Sequence, residues 1–320
     1  MEATLELGLI YGVMALGVYL TFRVLNFPDL TVDGSFTTGA ATAAILITND
    51  VPAWLATLAA FAAGAIAGTL TGLLYTKGRI DGLLAGILVM IALWSINLRI
   101  MGTSNLSLLR ADTLITPLRE AGVKGTWVSI LIFLVFVVIV KLIIDWFLST
   151  DRGLAIQATG NNEQMIRSLG VNTHGTAILT LALSNGLVAV CGALIAQYQG
   201  FADISMGIGL ILIGLAAVIV GQAIFAGRGI FMATTGAIAG AVIYWLVIFF
   251  ALRIGFNPND MKLISAVLVV AALLLPRWGF LKRIPSMRQI LVASRARGAE
   301  IPRTEAEAGA PRDSTMTGVK

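Results

Sequence analysis

Asp29 and Asp33 are the side chains with the clearest potential for chemistry. They lie in Leu25-Asn26-Phe27-Pro28-Asp29-Leu30-Thr31-Val32-Asp33-Gly34-Ser35, a dip in hydropathy between two apolar runs. A charged group at membrane depth costs about 2.5–3.5 kcal/mol on insertion scales, so such a residue marks a functional site by default. Pro28 has no N–H and Gly34 permits unusual backbone angles, which argues against a plain lipid-facing helix here. Non-helical backbone at depth must line a cavity or be buried in protein. The expectation is that Asn26, Phe27, Asp29, Asp33 and Ser35 border a solute pathway, with Phe27 as an apolar gate. The plainer alternative is an interfacial loop whose aspartates cap the next helix.

Other chemistries are excluded by residue type. One histidine, His174, and one cysteine, Cys191, form neither a metal cluster nor an intramolecular disulfide. No Ser/His or His/Glu/His arrangement exists, so an enzyme is not expected. There is no Gly-x-x-x-x-Gly-Lys-Ser/Thr, so the chain supplies no P-loop and no nucleotide cofactor site of its own.

The elements that position these residues are membrane helices. The chain is 58% hydrophobic and 12% charged, with a mean hydropathy of +0.90. A soluble domain carries roughly 25% charged residues, so most of this surface must face lipid. The net charge of +5 follows membrane orientation rather than nucleic-acid binding. A span needs about 20 apolar residues. Nine runs qualify or come close: Leu5–Phe22, Gly34–Ile47, Ala53–Tyr75, Leu83–Met101, Trp127–Leu148, Thr176–Ala196, Ile208–Ala226, Phe231–Leu252 and Leu263–Leu275. The second and last are short, which suggests broken or re-entrant segments. The fold class expected is all-α, a polytopic bundle occupying residues 1–285, with an inverted internal repeat.

Lys77, Arg79, Arg152, Arg167, Arg228 and the basic cluster after the last run fall on one side if the C-terminus is cytoplasmic. The N-terminus is then outside. Residues 286–320 lack apolar periodicity and are expected to be a disordered cytoplasmic tail. Gly64, Gly68 and Gly72 share one helical face, as do Gly8 with Gly12 and Gly236 with Gly240, a spacing that permits close helix crossings.

The repeat rests on Asn26-Phe27-Pro28-Asp29-Leu30-Thr31-Val32 and Gly200-Phe201-Ala202-Asp203-Ile204-Ser205-Met206. Each copy follows a span and precedes a glycine-containing helix, on opposite sides of the membrane by the count above. Asp203 is therefore the expected counterpart of Asp29 on the pathway.

After the fifth run, residues 149–172 read as two short helices. Leu154 and Ala158 share a face; Met165, Ile166 and Leu169 form a second. Glu163 and Arg167 are spaced to pair, and Asn161 or Asn162 is placed to cap the second helix. The reading is a coupling element that docks on a partner protein.

This loop resembles that of the permeases of ATP-driven importers for branched-chain amino acids and simple sugars. The match falls on Gly153, Ala158, Gly160, Asn162, Gly170, Val171 and Asn172, with Gln157 where the family carries arginine. The Asn26–Ser35 element is similar to a subgroup associated with aromatic amino acids. The resemblance implies a second permease copy, a cytoplasmic ATPase dimer that uses ATP and magnesium, an extracytoplasmic binding protein, and a place in the bacterial inner membrane. It implies ATPase coupling through Gly153, Leu154, Gln157, Ala158, Gly160, Asn162, Glu163 and Leu169. The alternative is a single-chain carrier driven by an ion gradient, which would not need the 149–172 loop.

Overall fold

The computed structural model describes residues 1–225, 229–255 and 261–274. Arg228, the end of the ninth run, the basic cluster after it and the expected tail lie outside the described residues.

All nine apolar runs contain a helix, the seventh only from Leu210 onward. In chain order they are α1 (Glu2–Val18), continued by a π-helical turn (Tyr19–Val24), then α2 (Thr31–Thr48), α3 (Ala53–Thr76) and α4 (Gly82–Met101). A short strand β1 (Asn105–Ser107) and the one-turn α5 (Thr116–Glu120) lead to α6 (Trp127–Ser149). Two short helices, α7 (Asp151–Asn161) and α8 (Glu163–Ser168), precede α9 (Thr173–Gln199). Strand β2 (Phe201–Asp203), α10 (Leu210–Phe225), α11 (Gly229–Ile254) and α12 (Met261–Leu274) complete the described chain. The chain is a polytopic helical membrane protein.

Six of the described helices are long and apolar enough to cross a membrane: α1 with its π turn, α3, α4, α6, α9 and α11. Among the described residues, six helices of spanning length therefore stand where about nine spans, two of them short, were expected. The physical reason is visible at α2 and α10, which begin part-way along the bundle. Asp29, just before α2, bonds Asn185, twelve residues into the 27-residue α9, or roughly 18 Å from its start. Asp33 in the first turn of α2 meets the start of α10. The two helices thus depart from one level in opposite directions: α2 packs toward the β1–β2 end, and α10 packs antiparallel to α11.

α9 and the first two helices carry the centre. The Gly64–Gly68–Gly72 face lies on α9 so closely that a Cβ at Gly68 would sit 2.1 Å from the Leu181 carbonyl oxygen. Gly8 and Gly12 meet Val242 and Ile238 of α11 in the same way, and Gly236 and Gly240 meet Gly221 and Ala217 of α10. Ile10, Met14, Leu16, Phe36, Val188 and Ile195 form the fully buried heart of the core. Lipid-facing positions are apolar too, for example Leu131, Ile139 and Ile143 on α6.

Candidate functional site

The junction where α2 and α10 begin is built from the repeat. At Asn26 the backbone is left-handed (φ 57°), a conformation that asparagine tolerates better than most residues, and it turns the chain back from the π turn toward the bundle centre. Asp29 Oδ1 then accepts the Thr31 N–H at 2.9 Å, and Asp29 Oδ2 accepts the Asn185 side-chain N–H at 2.6 Å. The second copy repeats the pattern. Asp203 Oδ1 accepts the Ser205 N–H at 2.8 Å, and Asp203 Oδ2 accepts the Asn105 side-chain N–H at 3.2 Å. Both aspartates make the same turn to a hydroxyl residue two positions on, and both take an asparagine amide.

Asp33 plays a different part. Its two oxygens accept the N–H groups of Gly209 and Ile211, each at 2.8 Å. A carboxylate on the open amides of a helix start complements the helix dipole, so Asp33 fastens α2 to α10.

These residues do not gather around one opening. Asp29 is 3% exposed and sealed among α2, α3 and α9, and Phe27 is packed with Leu25, Ala177 and Leu181 and edge-on to Tyr75. Phe27 also lines the small cavity at the start of this segment, whereas the bond to Asn185 draws Asp29 inward. Ser35 is fully buried with an unpaired hydroxyl. Asn26 borders a small cavity of about 210 Å³ with Gly160 and Thr159. Asp33 alone of the expected set faces the larger cavity of about 460 Å³, between the start of α2, one face of α4 and the 204–208 segment. Asp203 lies at the end of the bundle, in the antiparallel pairing of β2 with β1, opposite Asn105. The Ser205 hydroxyl, the Ser205 amide and the Asn105 amide hold its carboxyl below the usual range, against the smaller effect of partial burial.

At the opposite end, α7 and α8 project from the bundle. Thr150 caps α7, Asn162 caps α8 by accepting the Met165 N–H at 3.0 Å, and Asn172 caps α9. Leu154 (52%), Met165 (52%) and Leu169 (71%) are exposed on this pair, with Glu163 also exposed and Ala158 half-buried. Three of the expected coupling residues also make contacts within the fold. Gly153 lies against the Phe147 carbonyl, where a Cβ would be 2.3 Å away. Gln157 donates to the Leu148 carbonyl at 2.9 Å. Gly160 fits against the Val24 carbonyl, where a Cβ would be 1.9 Å away. The expected Glu163–Arg167 pair does not form, since Arg167 turns to His174 at 3.1 Å.

A sequence profile described as "Branched-chain amino acid transport system / permease component" matches residues 1–273. The chain belongs to this family of transport permeases. The permease is 44% identical over 266 residues to the tyrosine transport system permease protein of Clostridioides difficile, covering 83% of this chain and 88% of that protein. It is 36% identical to an uncharacterised protein of Rickettsia prowazekii, covering 84% of this chain and 95% of that one. It is 26% identical to the ribose import permease protein RbsC of Escherichia coli K12, covering 82% of this chain and 81% of that one. No solved structure matches it.

The permease also holds a polar group that the sequence reading passed over. Lys141 and Asp145, one turn apart on α6, form the one ion pair found among the described residues, with side chains 6% and 12% exposed. The Lys141 ammonium also lies 3.4 Å from the Phe231 ring centroid. Asp145 accepts the Thr234 hydroxyl of α11 at 2.7 Å. Asp145 is thus a contact between α6 and α11. The i,i+4 spacing of opposite charges was the available signal.

Proposed function

We propose that the permease is the membrane-spanning subunit of an ATP-driven importer that moves an amino acid. Two copies pair in a bacterial inner membrane, with the N-terminus outside and the C-terminus in the cytoplasm. A cytoplasmic ATPase dimer consumes ATP and magnesium, and an extracytoplasmic binding protein delivers the solute. The observation that carries this reading is the projecting α7–α8 pair. Its exposed Leu154, Met165 and Leu169 have no partner among the described residues of this chain, and a self-sufficient carrier needs no such surface. The tyrosine transport relative supports an amino acid as the solute.

The mechanism follows from the contacts. The π turn ends against α7 at Gly160, and six residues of chain separate Val24 from Thr31, the first residue of α2. A displacement of α7 by the ATPase therefore reaches the Asp33–α10 junction through one short segment. Closure and opening of the ATPase then shift the bundle between outward and inward access.

Reconstitution of the permease with its ATPase and binding protein in vesicles tests this. ATP-dependent uptake of L-tyrosine is expected. Uptake driven by an ion gradient with the ATPase left out would overturn the reading in favour of a single-chain carrier.

A further inference from the structure

The 460 Å³ cavity at the start of α2 lies within the range of small-molecule sites, about 300–1,000 Å³, and its walls differ in kind. One wall is apolar, formed by Met90, Ile91 and Trp94 of α4 with Ile204 and Ile208 opposite. The other presents acceptors. Asn97 is 1% exposed; its amide N–H reaches the Gly34 carbonyl at 3.4 Å, while its side-chain oxygen has no hydrogen-bond partner. A buried acceptor left unmade is costly, and this one sits beside the residue next to Asp33. The Asp33 oxygens take backbone N–H groups of residues 209–211, and a carboxylate, with about four acceptor positions, has room for a further donor.

An acceptor wall with a net negative group facing an aromatic wall fits a cation attached to a bulky apolar body. We propose that this cavity is a binding site for an aromatic L-amino acid, whose α-ammonium lies between the Asn97 side-chain oxygen and the Asp33 carboxylate and whose ring lies on Trp94. The inference rests on the importer reading above and deepens it: the permease itself discriminates among solutes at mid-bundle. A neutral sugar has no cationic group to match the acceptor wall.

Ser95, exposed on the same face of α4, takes no part in these contacts and provides a reporter. The native Cys191 is fully buried, so Ser95→Cys introduces an accessible thiol. The assembled transporter carrying Ser95→Cys is treated with a charged, water-soluble thiosulfonate. L-Tyrosine is expected to slow modification about tenfold when present near ten times its dissociation constant. N-Acetyl-L-tyrosine, which lacks the ammonium, and D-ribose are expected to leave the rate unchanged. Trp94→Ala and, separately, Asn97→Leu are expected to abolish the protection in protein that remains monodisperse. Equal protection by N-acetyl-L-tyrosine or by ribose overturns the proposal, as does tyrosine protection that survives Trp94→Ala. Vesicles that import L-tyrosine with ATP yet show no protection sink this site and leave the importer reading intact. Vesicles that import no amino acid under ATP sink the importer reading itself.

Discussion

Asp29 and Asn185 are joined by a 2.6 Å hydrogen bond across 156 positions of sequence. The bond fixes the segment before α2 to the middle of α9, and it accounts for the burial of a carboxylate that a pathway would otherwise expose.

Removal of the amide tests that account. Asn185→Ala leaves the Asp29 carboxylate with Thr31 as its partner. A hydrogen bond to a charged group contributes about 1.5–3 kcal/mol, and a loss of that order is expected in thermal denaturation in detergent. A cysteine at Asp29 should be inert to aqueous thiol reagents, whereas one at Asp33 should react. Reaction at both positions would mean that the segment opens to water as a unit.

The projecting helices give a second prediction. Leu154→Glu and Leu169→Glu should detach the ATPase in co-purification, while the permease remains monodisperse. Both side chains are exposed among the described residues, so stability should change by less than about 0.5 kcal/mol. If the ATPase stays bound in the double variant, the docking surface lies elsewhere.

The α6 ion pair makes a third. Lys141→Met strands the Asp145 carboxylate with the Thr234 hydroxyl. Breaking one side of a buried pair costs about 3–5 kcal/mol, whereas replacing both partners by apolar residues is often neutral. Lys141→Met should lower the melting temperature, and Lys141→Met with Asp145→Leu should restore most of it. A single variant as stable as the parent would show that the pair is solvated in the membrane.

The fourth concerns pH at the β1–β2 end. The folded-state pKa of Asp203 is depressed, so its contribution is present above the unfolded carboxylate value, about 3.9, and is lost as pH falls through the lower folded value. Amide protection of the β1–β2 pairing should therefore persist at pH 5 (roughly one unit above that value) and fail only in stronger acid. Asp203→Asn should remove that acid transition. An unchanged transition in the variant would assign it to another group.

Much of this architecture is legible in the sequence, for local reasons. Apolar runs of span length leave few alternatives to helix, and the four-residue glycine spacing marks the faces that meet. The Asn162 cap is written within four residues. The repeat is legible too, since both aspartates carry a hydroxyl residue two positions on. What fails is partnership across the chain. Periodicity shows that Asn185 needs a partner but not that Asp29 supplies it. Arg167 has the spacing to reach Glu163, yet His174 at the start of α9 is nearer in the fold. Lys141 is hidden because one ammonium among 23 residues of α6 does not interrupt a hydropathy run. The strands β1 and β2, three residues each, are too short to show alternation.

The π turn at Tyr19–Val24 has a consequence for how this chain tolerates insertions and deletions. A π turn accommodates one extra residue in an otherwise α-helical path, and here Leu25 donates to Leu20 five positions back. Upstream, Gly17 is pinned against the Ser184 carbonyl; downstream, the Val24 carbonyl is pinned against Gly160. Deleting one residue between them would let the turn relax to α geometry with its two ends still in phase, whereas deleting a second would rotate everything beyond it by about 100°. Val24 would then face away from α7. The segment between Gly17 and Val24 thus holds one residue that can be lost with both ends still seated on their unrelated neighbours, and none beyond it.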